Sequence, residues 1–435
     1  MSDDIFDAII VGGGLAGGTA AYVLAQAGCD VLVVERGNFA GSKNMTGGRL
    51  YAHSLEKIIP NFAQEAPVER LVMREKISML TETDGVTLDY QHTQQEEEAA
   101  RSYTVLRSSF DQWLMEKAED AGAQVITGVR VDEVLVKDGK VCGVKAGDDE
   151  IEAHVVILAD GVNSLLAKQL GMTQKVDPHT VAVGVKELLE FTPQQMEDRF
   201  GCTNDEGLAW LFAGAPSGGY LGGGFLYTNK NTVSLGLVLG LHNVDKFEKT
   251  VPQLLEDFKQ HPVVAPLIKD GKLLEYSAHM VPEGGMNMVS ELVKDGVLVA
   301  GDAAGFCLNV GYTVRGMDLA IASGEAAAKA VLMAKEQNSY SQKELSCYQS
   351  LLNDSFVIKD MKLYKDLPSF LDNTRFFTDY PQMAANVMHD LFVINGPEKP
   401  VRKKILSQVK KVGVMNLIKD GFKGYVLYES GKRRR

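Results

Sequence analysis

A short apolar run at residues 5–11 leads into three consecutive glycines, and residues 15–27 then carry small or apolar side chains at nearly every position. The first pattern is that of a buried strand, the second that of a helix enclosed on most sides. Residues 31–34 are again apolar and close on Glu35, so the first 35 residues read as strand, helix, strand. Residues 56–95 are mixed, with a turn signal at Asp84-Gly85, and Glu96-Glu97-Glu98 marks an exposed acidic loop. The spacing predicts a helix over 108–121 that stops at Gly122. Alternating segments follow at 124–127, 129–136, 141–145 and 155–158, the last running into Ala159-Asp160-Gly161. From about 181 to 280 the alternation lengthens and glycines cluster at Ser217-Gly218-Gly219 and Gly222-Gly223-Gly224, which predicts an inserted antiparallel sheet. A short strand at 297–300 precedes a helix near 314–334, and the last hundred residues are helical in pattern, with no internal repeat.

Together these elements predict a mixed α/β fold. A Rossmann-like nucleotide-binding domain is assembled from residues 1–175 and 286–340, an inserted sheet domain spans 176–285, and a helical region with a basic tail spans 341–435. At 45% hydrophobic and 23% charged, the 435 residues exclude fibrous and disordered classes. The net charge of −12 argues against nucleic acid as a partner. That charge is uneven: residues 401–435 hold eleven Lys or Arg against Asp420 and Glu429, a +9 tail on a −21 body. Five cysteines without regular spacing suit a reducing compartment and offer no metal cage. The acidic N-terminus lacks the features of a secretory signal, and no stretch approaches the roughly 18 uninterrupted apolar residues of a membrane span. The expectation is a cytoplasmic protein able to lie on a membrane surface.

Gly12-Gly13-Gly14-Leu15-Ala16-Gly17 satisfies G-x-G-x-x-G between a strand and a helix. Gly12 suits the tight turn, Gly14 lets backbone N–H groups approach a pyrophosphate, and Gly17 permits close helix–strand packing. The helix dipole directs its positive end at the phosphates. Glu35, followed by Arg36, sits where an acid accepts hydrogen bonds from an adenosine ribose and repels a 2′-phosphate, which favours FAD or NAD over NADP. Two later segments resemble the distal flavin motifs of glutathione-reductase-like flavoproteins: Ala159-Asp160-Gly161-Val162-Asn163-Ser164, and Val299-Ala300-Gly301-Asp302-Ala303-Ala304-Gly305. By that resemblance Asp302 binds the ribityl chain, and the helix following Gly311 points its N-terminus at the flavin N1/C2=O edge, where it stabilises a reduced, anionic flavin. Three motifs in this order identify FAD. Arg107 stands where related flavoproteins place an arginine near the cofactor; the alternative is a solvated residue before a helix.

At residues 43–51 (Lys-Asn-Met-Thr-Gly-Gly-Arg-Leu-Tyr) and 222–227 (Gly-Gly-Gly-Phe-Leu-Tyr) the chain resembles the electron-transfer-flavoprotein:quinone oxidoreductase family, and within it the Fix-type C-subunit branch. His261-Pro262, residues 275–285 and residues 301–316 extend the resemblance over nearly the whole length. The resemblance implies electron transfer from an electron-transfer flavoprotein through FAD to a quinone, with Gly222 and Gly223 matching a glycine pair beside the quinone. Without it, these glycines read equally as a bulged sheet interior. Longer members hold a four-iron cluster on four cysteines near the C-terminus, whereas here only Cys347 lies beyond Cys307. The resemblance then implies a separate ferredoxin-like iron–sulfur protein as partner. Leu221 and Thr228 depart from the Tyr and His of the longer members.

Catalysis is assigned to the flavin itself, with no Ser-His-Asp triad and no metal-ligand spacing. His53 and His279 are candidate proton donors to a quinone or structural histidines. Cys307 reads as a buried thiol or a residue near the flavin. The amphipathic segment from Val401 is a candidate surface for anionic lipid or an acidic ferredoxin, or a helix packed on the body. Two other activities remain open on the same motifs: an NAD(P)H-dependent flavin reductase or hydroxylase of the geranylgeranyl-reductase and aromatic-hydroxylase type, and a non-catalytic escort protein.

Overall fold

The computed structural model describes residues 5–43, 48–92, 97–173, 176–203 and 205–429. The acidic N-terminus, residues 44–47 of the 43–51 stretch, Glu96 of the acidic loop and the basic end from 430 lie outside the described residues.

Five parallel strands form the heart of the first sheet, in the order Val297–Val299, Asp149–Leu158, Phe6–Val11, Val31–Glu35, Gln124–Thr127. Every residue of Val31–Glu35 is buried, as expected where both faces of a parallel sheet are covered. The helix Leu15–Gln26 makes the crossover between the first two strands and packs on the helices Arg107–Asp120 and Met317–Glu336. Small residues set that closeness. A Cβ on Gly324 would stand 2.3 Å from the Ala16 carbonyl oxygen, and one on Gly17 would stand 2.0 Å from that of Gly12.

The second sheet has nine strands and is antiparallel, except where Glu206–Gly214 runs parallel to Val68–Leu80. Its order is Lys272–Pro282, Val181–Glu190, Thr232–Gly240, Gly222–Thr228, Glu206–Gly214, Val68–Leu80, Ser102–Val105, Gly48–Tyr51, with Gly85–Gln91 paired to Val68–Leu80. The sheet thus draws strands from early in the chain as well as from the inserted stretch. Val68–Leu80 shows no alternation in the sequence because its charged residues have partners. Arg70 donates to the carbonyls of Asn229, Glu206 and Lys230 at 2.6, 3.0 and 2.7 Å, Glu75 pairs with Arg49, and Arg74 pairs with Asp89.

Two element boundaries differ from expectation. The helix placed near 314–334 begins at Met317, because Leu308–Asn309 and Val314–Arg315 pair as a small hairpin. Gly311 lies between those strands at φ +85°, and so is in a turn rather than at the helix start. The strand expected at 129–136 is Glu133–Lys137, one arm of a hairpin with Lys140–Ala146.

Helices fill the chain from Gln342 to Glu429. The last of them, Val414–Glu429, is anchored through Asp420, which accepts from Arg375 Nε and Nη2 at 2.7 Å each and from Asn373 Nδ2 at 3.0 Å. The Arg375 guanidinium holds the Asp420 carboxyl well below the usual carboxylate range. Among the described residues, no helix is long and apolar enough to cross a membrane.

Candidate functional site

A cavity of about 530 Å³ lies between the two sheets. Its first wall is the nucleotide end. Gly14 precedes the helix Leu15–Gln26 with no side-chain cap, so the first-turn N–H groups face the cavity that Gly14, Leu15 and Ala16 line. Gly12, at φ +107°, supports this turn from behind, where a Cβ would stand 2.3 Å from the Ala159 carbonyl oxygen. Glu35 lies behind the wall and clamps the loop: its Oε2 accepts from Gly13 N at 2.7 Å and its Oε1 from Gly37 N at 2.6 Å. Each carboxylate oxygen keeps a lone pair for a further donor, such as a ribose hydroxyl. Arg36 is exposed at the outer edge, and its charge acts on Asp160 and His279.

Asp160 stands just behind the cavity. Burial pushes its carboxyl up to about 6, against the backbone N–H of Leu166 and the charge of Arg36. Its Oδ1 is buried with no partner among the described residues, and so is the hydroxyl of Ser164 in the same motif. Asp302 lines the cavity from the short turn after Val297–Val299, together with Gly301; burial raises its pKa and Arg107 partly offsets that. Arg107 also lines the cavity, with its guanidinium held bidentately by Asp111 at 2.7 and 2.8 Å, so it is a placed residue rather than a solvated one. An uncapped helix start, glycines that tolerate no Cβ and unpartnered buried oxygens form a cradle that fits a dinucleotide.

The second wall is a face of the nine-stranded sheet, at its central strands. Gly222, Gly223 and Gly224 line the cavity with Ile77, Leu211, Phe212 and Val238, and Leu371, Phe376 and Phe377 of the helical region close it. The sheet-interior reading of these glycines fits the geometry. A Cβ on Gly222 would stand 2.4 Å from the Val238 carbonyl oxygen, and one on Gly223 would stand 2.4 Å from that of Phe212, so sheet packing alone requires glycine. Their backbone still faces the cavity.

Several titratable groups share this space. Glu283, just after Lys272–Pro282, accepts from Asn309 Nδ2 at 3.1 Å, and burial pushes its carboxyl up to about 7. His279 lines the cavity, and burial with the charges of Arg107 and Arg36 pushes its pKa down. His53 is elsewhere: its Nε2 bonds Asp318 Oδ2 at 3.0 Å, within a network that Arg315 extends to Asp360, which is a structural role. Cys307 lines the cavity, but burial pushes its thiol well up, which leaves it an inert buried thiol. His179 and His242 stack at 4.3 Å at the mouth, and His242 Nε2 bonds Asp372 at 3.0 Å. Lys186 is fully buried on Val181–Glu190, its amine without a hydrogen-bond partner among the described residues and its pKa driven down to about 7 by burial. Sequence reasoning missed Glu283 as a functional group and Lys186 as a buried amine. Glu283 is only one residue within a matching stretch, and a lysine in a strand gives no signal of burial.

The C-terminal helices meet the body sparsely. Val401–Val412 buries only Gln408, while Met415, Ile418, Phe422 and Tyr425 form an exposed stripe at helical spacing along Val414–Glu429.

Comparison with known proteins agrees with this geometry. The ETF-QO/FixC family C-terminal domain matches residues 367–427, and two FAD-dependent oxidoreductase models match residues 7–169 and 104–330. The chain is 60% identical over 425 residues to a probable electron transfer flavoprotein-quinone oxidoreductase of Escherichia coli K12, covering 98% of this chain and 99% of that protein. It is 61% identical over 426 residues to protein FixC of the same strain, with the same coverage. Among solved structures, a geranylgeranyl bacteriochlorophyll reductase-like protein of Thermoplasma acidophilum superposes with a TM-score of 0.71 at 20% identity, over 96% of this chain and 99% of that one, a likeness of fold.

Proposed function

The chain belongs to the ETF-QO/FixC family and is an FAD-dependent oxidoreductase, and from that premise we propose that it accepts electrons from an electron-transfer flavoprotein and passes them through FAD to a quinone. The observation that carries this reading is the single cavity joining the glycine loop to the apolar face of the second sheet. FAD supplies a carrier that takes up and releases electrons singly or in pairs. The residues of this chain position and insulate it. Gly14 and the helix start hold the pyrophosphate, with Gly12 and Gly17 shaping the turn. Glu35 takes the adenosine ribose, with Arg36 at the rim, and Asp160 and the Gly301–Asp302 turn take the ribityl side. Arg107 sets positive charge beside the ring, and Gly311 turns the hairpin that leads to the helix Met317–Glu336. Gly222, Gly223, Phe376 and Phe377 leave a flat apolar slot for the quinone ring.

Electrons leave or enter through partners. Five scattered free cysteines give no set of four ligands, so an iron–sulfur centre belongs to a separate ferredoxin-like protein. A quinone is lipid-soluble, and the exposed stripe Met415, Ile418, Phe422 and Tyr425, beside Lys410, Lys411 and Lys419, lies on the membrane's inner face. An anaerobic titration tests the whole reading: the bound flavin is bleached by reduced electron-transfer flavoprotein and is inert to NADH and NADPH. Bleaching by NAD(P)H alone at turnover rates overturns it in favour of a directly reduced flavin reductase.

A further inference from the structure

We infer that Glu283 is the proton donor of the cavity, the carboxyl that supplies a quinone with the proton its reduction consumes. The inference deepens the proposed function and rests on its quinone half. Reduction of a quinone to a quinol takes two electrons and two protons. Both electrons and one proton come with the reduced cofactor. For the other proton, the Glu283 O–H bond breaks as a quinol O–H bond forms, leaving a carboxylate that water at the mouth reprotonates. The net charge is conserved, since the negative charge of the reduced cofactor ends on Glu283.

Placement carries the argument. Glu283 lines the same cavity as Gly222 and Gly223, at the exit of Lys272–Pro282, and its backbone N–H donates to the Thr180 carbonyl oxygen at 2.7 Å, which fixes the turn. Asn309 Nδ2, from the hairpin opposite, orients the carboxyl at 3.1 Å without neutralising it. The titratable groups that line the cavity with it are Cys307 and Asp302 on the turn facing it, Arg107 at the nucleotide end, Arg49, Tyr227 and His279 on the sheet, and His179 and His242 at the mouth. The fixed cations among them are Arg107 and Arg49, and Asp111 and Glu75 occupy them. Burial raises this carboxyl to about 7, so a large share of it keeps its proton at neutral pH, and an acid that titrates near the working pH is suited to proton donation. His279, with its pKa lowered, is the neutral imidazole there and a far weaker acid.

The test uses holoenzyme whose flavin has been reduced anaerobically, mixed either with decylubiquinone or with ferricyanide, which takes electrons and no protons. For E283Q, reoxidation by the quinone falls about 100-fold more than reoxidation by ferricyanide. In the wild type, the quinone rate falls as pH rises through about 7, and E283Q lacks that step. E283D restores part of the rate and the pH step. Independently of turnover, the infrared C=O component that is lost on titration through about pH 7 in the wild type is absent from E283Q, which keeps any component that titrates lower, such as that of Asp160. Flavin absorbance at equal protein concentration shows that the variants are loaded. Equal losses with both acceptors, or an unchanged pH profile in E283Q, overturn the inference while the quinone reading stands. A wild-type flavin that ferricyanide reoxidises and quinone does not overturns the quinone reading and the inference with it.

Discussion

The two ends of the cavity are both built on glycine, and they use it differently. At the nucleotide end, Gly12 and Gly17 exclude a Cβ so that a helix start can face the cavity, and the surroundings are charged: Glu35, Asp160, Asp302 and Arg107. At the sheet end, Gly222 and Gly223 exclude a Cβ because one on either would stand 2.4 Å from a carbonyl oxygen of a neighbouring strand, and the surroundings are aliphatic and aromatic. In the proposed function the same residue type would therefore serve anion binding at one end and a flat neutral ring at the other. Chemistry is assigned by the neighbours of a glycine, not by the glycine.

Substitutions at the two ends should separate accordingly. The largest effect is expected from G12A, which places a side chain at φ +107° and 2.3 Å from the Ala159 carbonyl oxygen. Flavin absorbance should be lost, and urea unfolding should report a destabilisation of about 3 kcal/mol. D420N comes next: it removes the charge that pairs with Arg375, turns one accepting oxygen into a donor, and loosens the cover that brings Leu371, Phe376 and Phe377 over the sheet end. The cost is about 3 kcal/mol, read as earlier proteolysis of the C-terminal helices, with flavin content retained. Because the folded carboxyl titrates below its unfolded value, that stability is present above pH 4 and is lost as pH falls through the acid range in the wild type, whereas D420N shows no such loss.

Glu283 runs in the opposite direction. Its folded pKa of about 7 lies above its ordinary value, so the folded state binds the extra proton and stability falls as pH rises from about 4 to 7. E283Q should therefore unfold later than the wild type at pH 8, by up to about 3 kcal/mol in urea, even as quinone reoxidation fails. G222A should weaken quinone binding and strain the strand by about 2 kcal/mol while leaving the flavin spectrum intact, which sharpens the contrast with G12A. The smallest effect is at the surface: Gln at Lys403, Lys404, Lys410 and Lys411 should weaken binding to anionic vesicles by about 1 kcal/mol per lysine at low salt, in a sedimentation assay.

The legibility of the two ends in the sequence follows the same division. The strand–glycine–helix–strand–Glu35 unit is local, so its fold and its place beside a dinucleotide are readable from 35 consecutive residues. The sheet end is made of pairings across long separations, such as Val181 with Pro282 and Glu206 with Leu71, and no local pattern announces them. Val68–Leu80 stayed hidden because Arg70, Arg74 and Glu75 find partners at 2.5–3.0 Å and break the alternation. His53, by its place in a matching stretch a candidate proton donor or a structural histidine, is held by a hydrogen bond to Asp318, far along the chain, as the structural alternative expects. Glu283 and Lys186 take their character from burial, a property of the packed fold alone.

The central claim is that one cavity holds the flavin at its glycine-loop end and the quinone against its sheet face. Photolabelling of the flavin-loaded protein with an azido-quinone, followed by peptide mapping, tests this directly. The account predicts label on peptides containing Gly222–Thr228 and Leu371–Phe377, displaced by excess unlabelled quinone. Saturable label confined to peptides outside the cavity wall would contradict it.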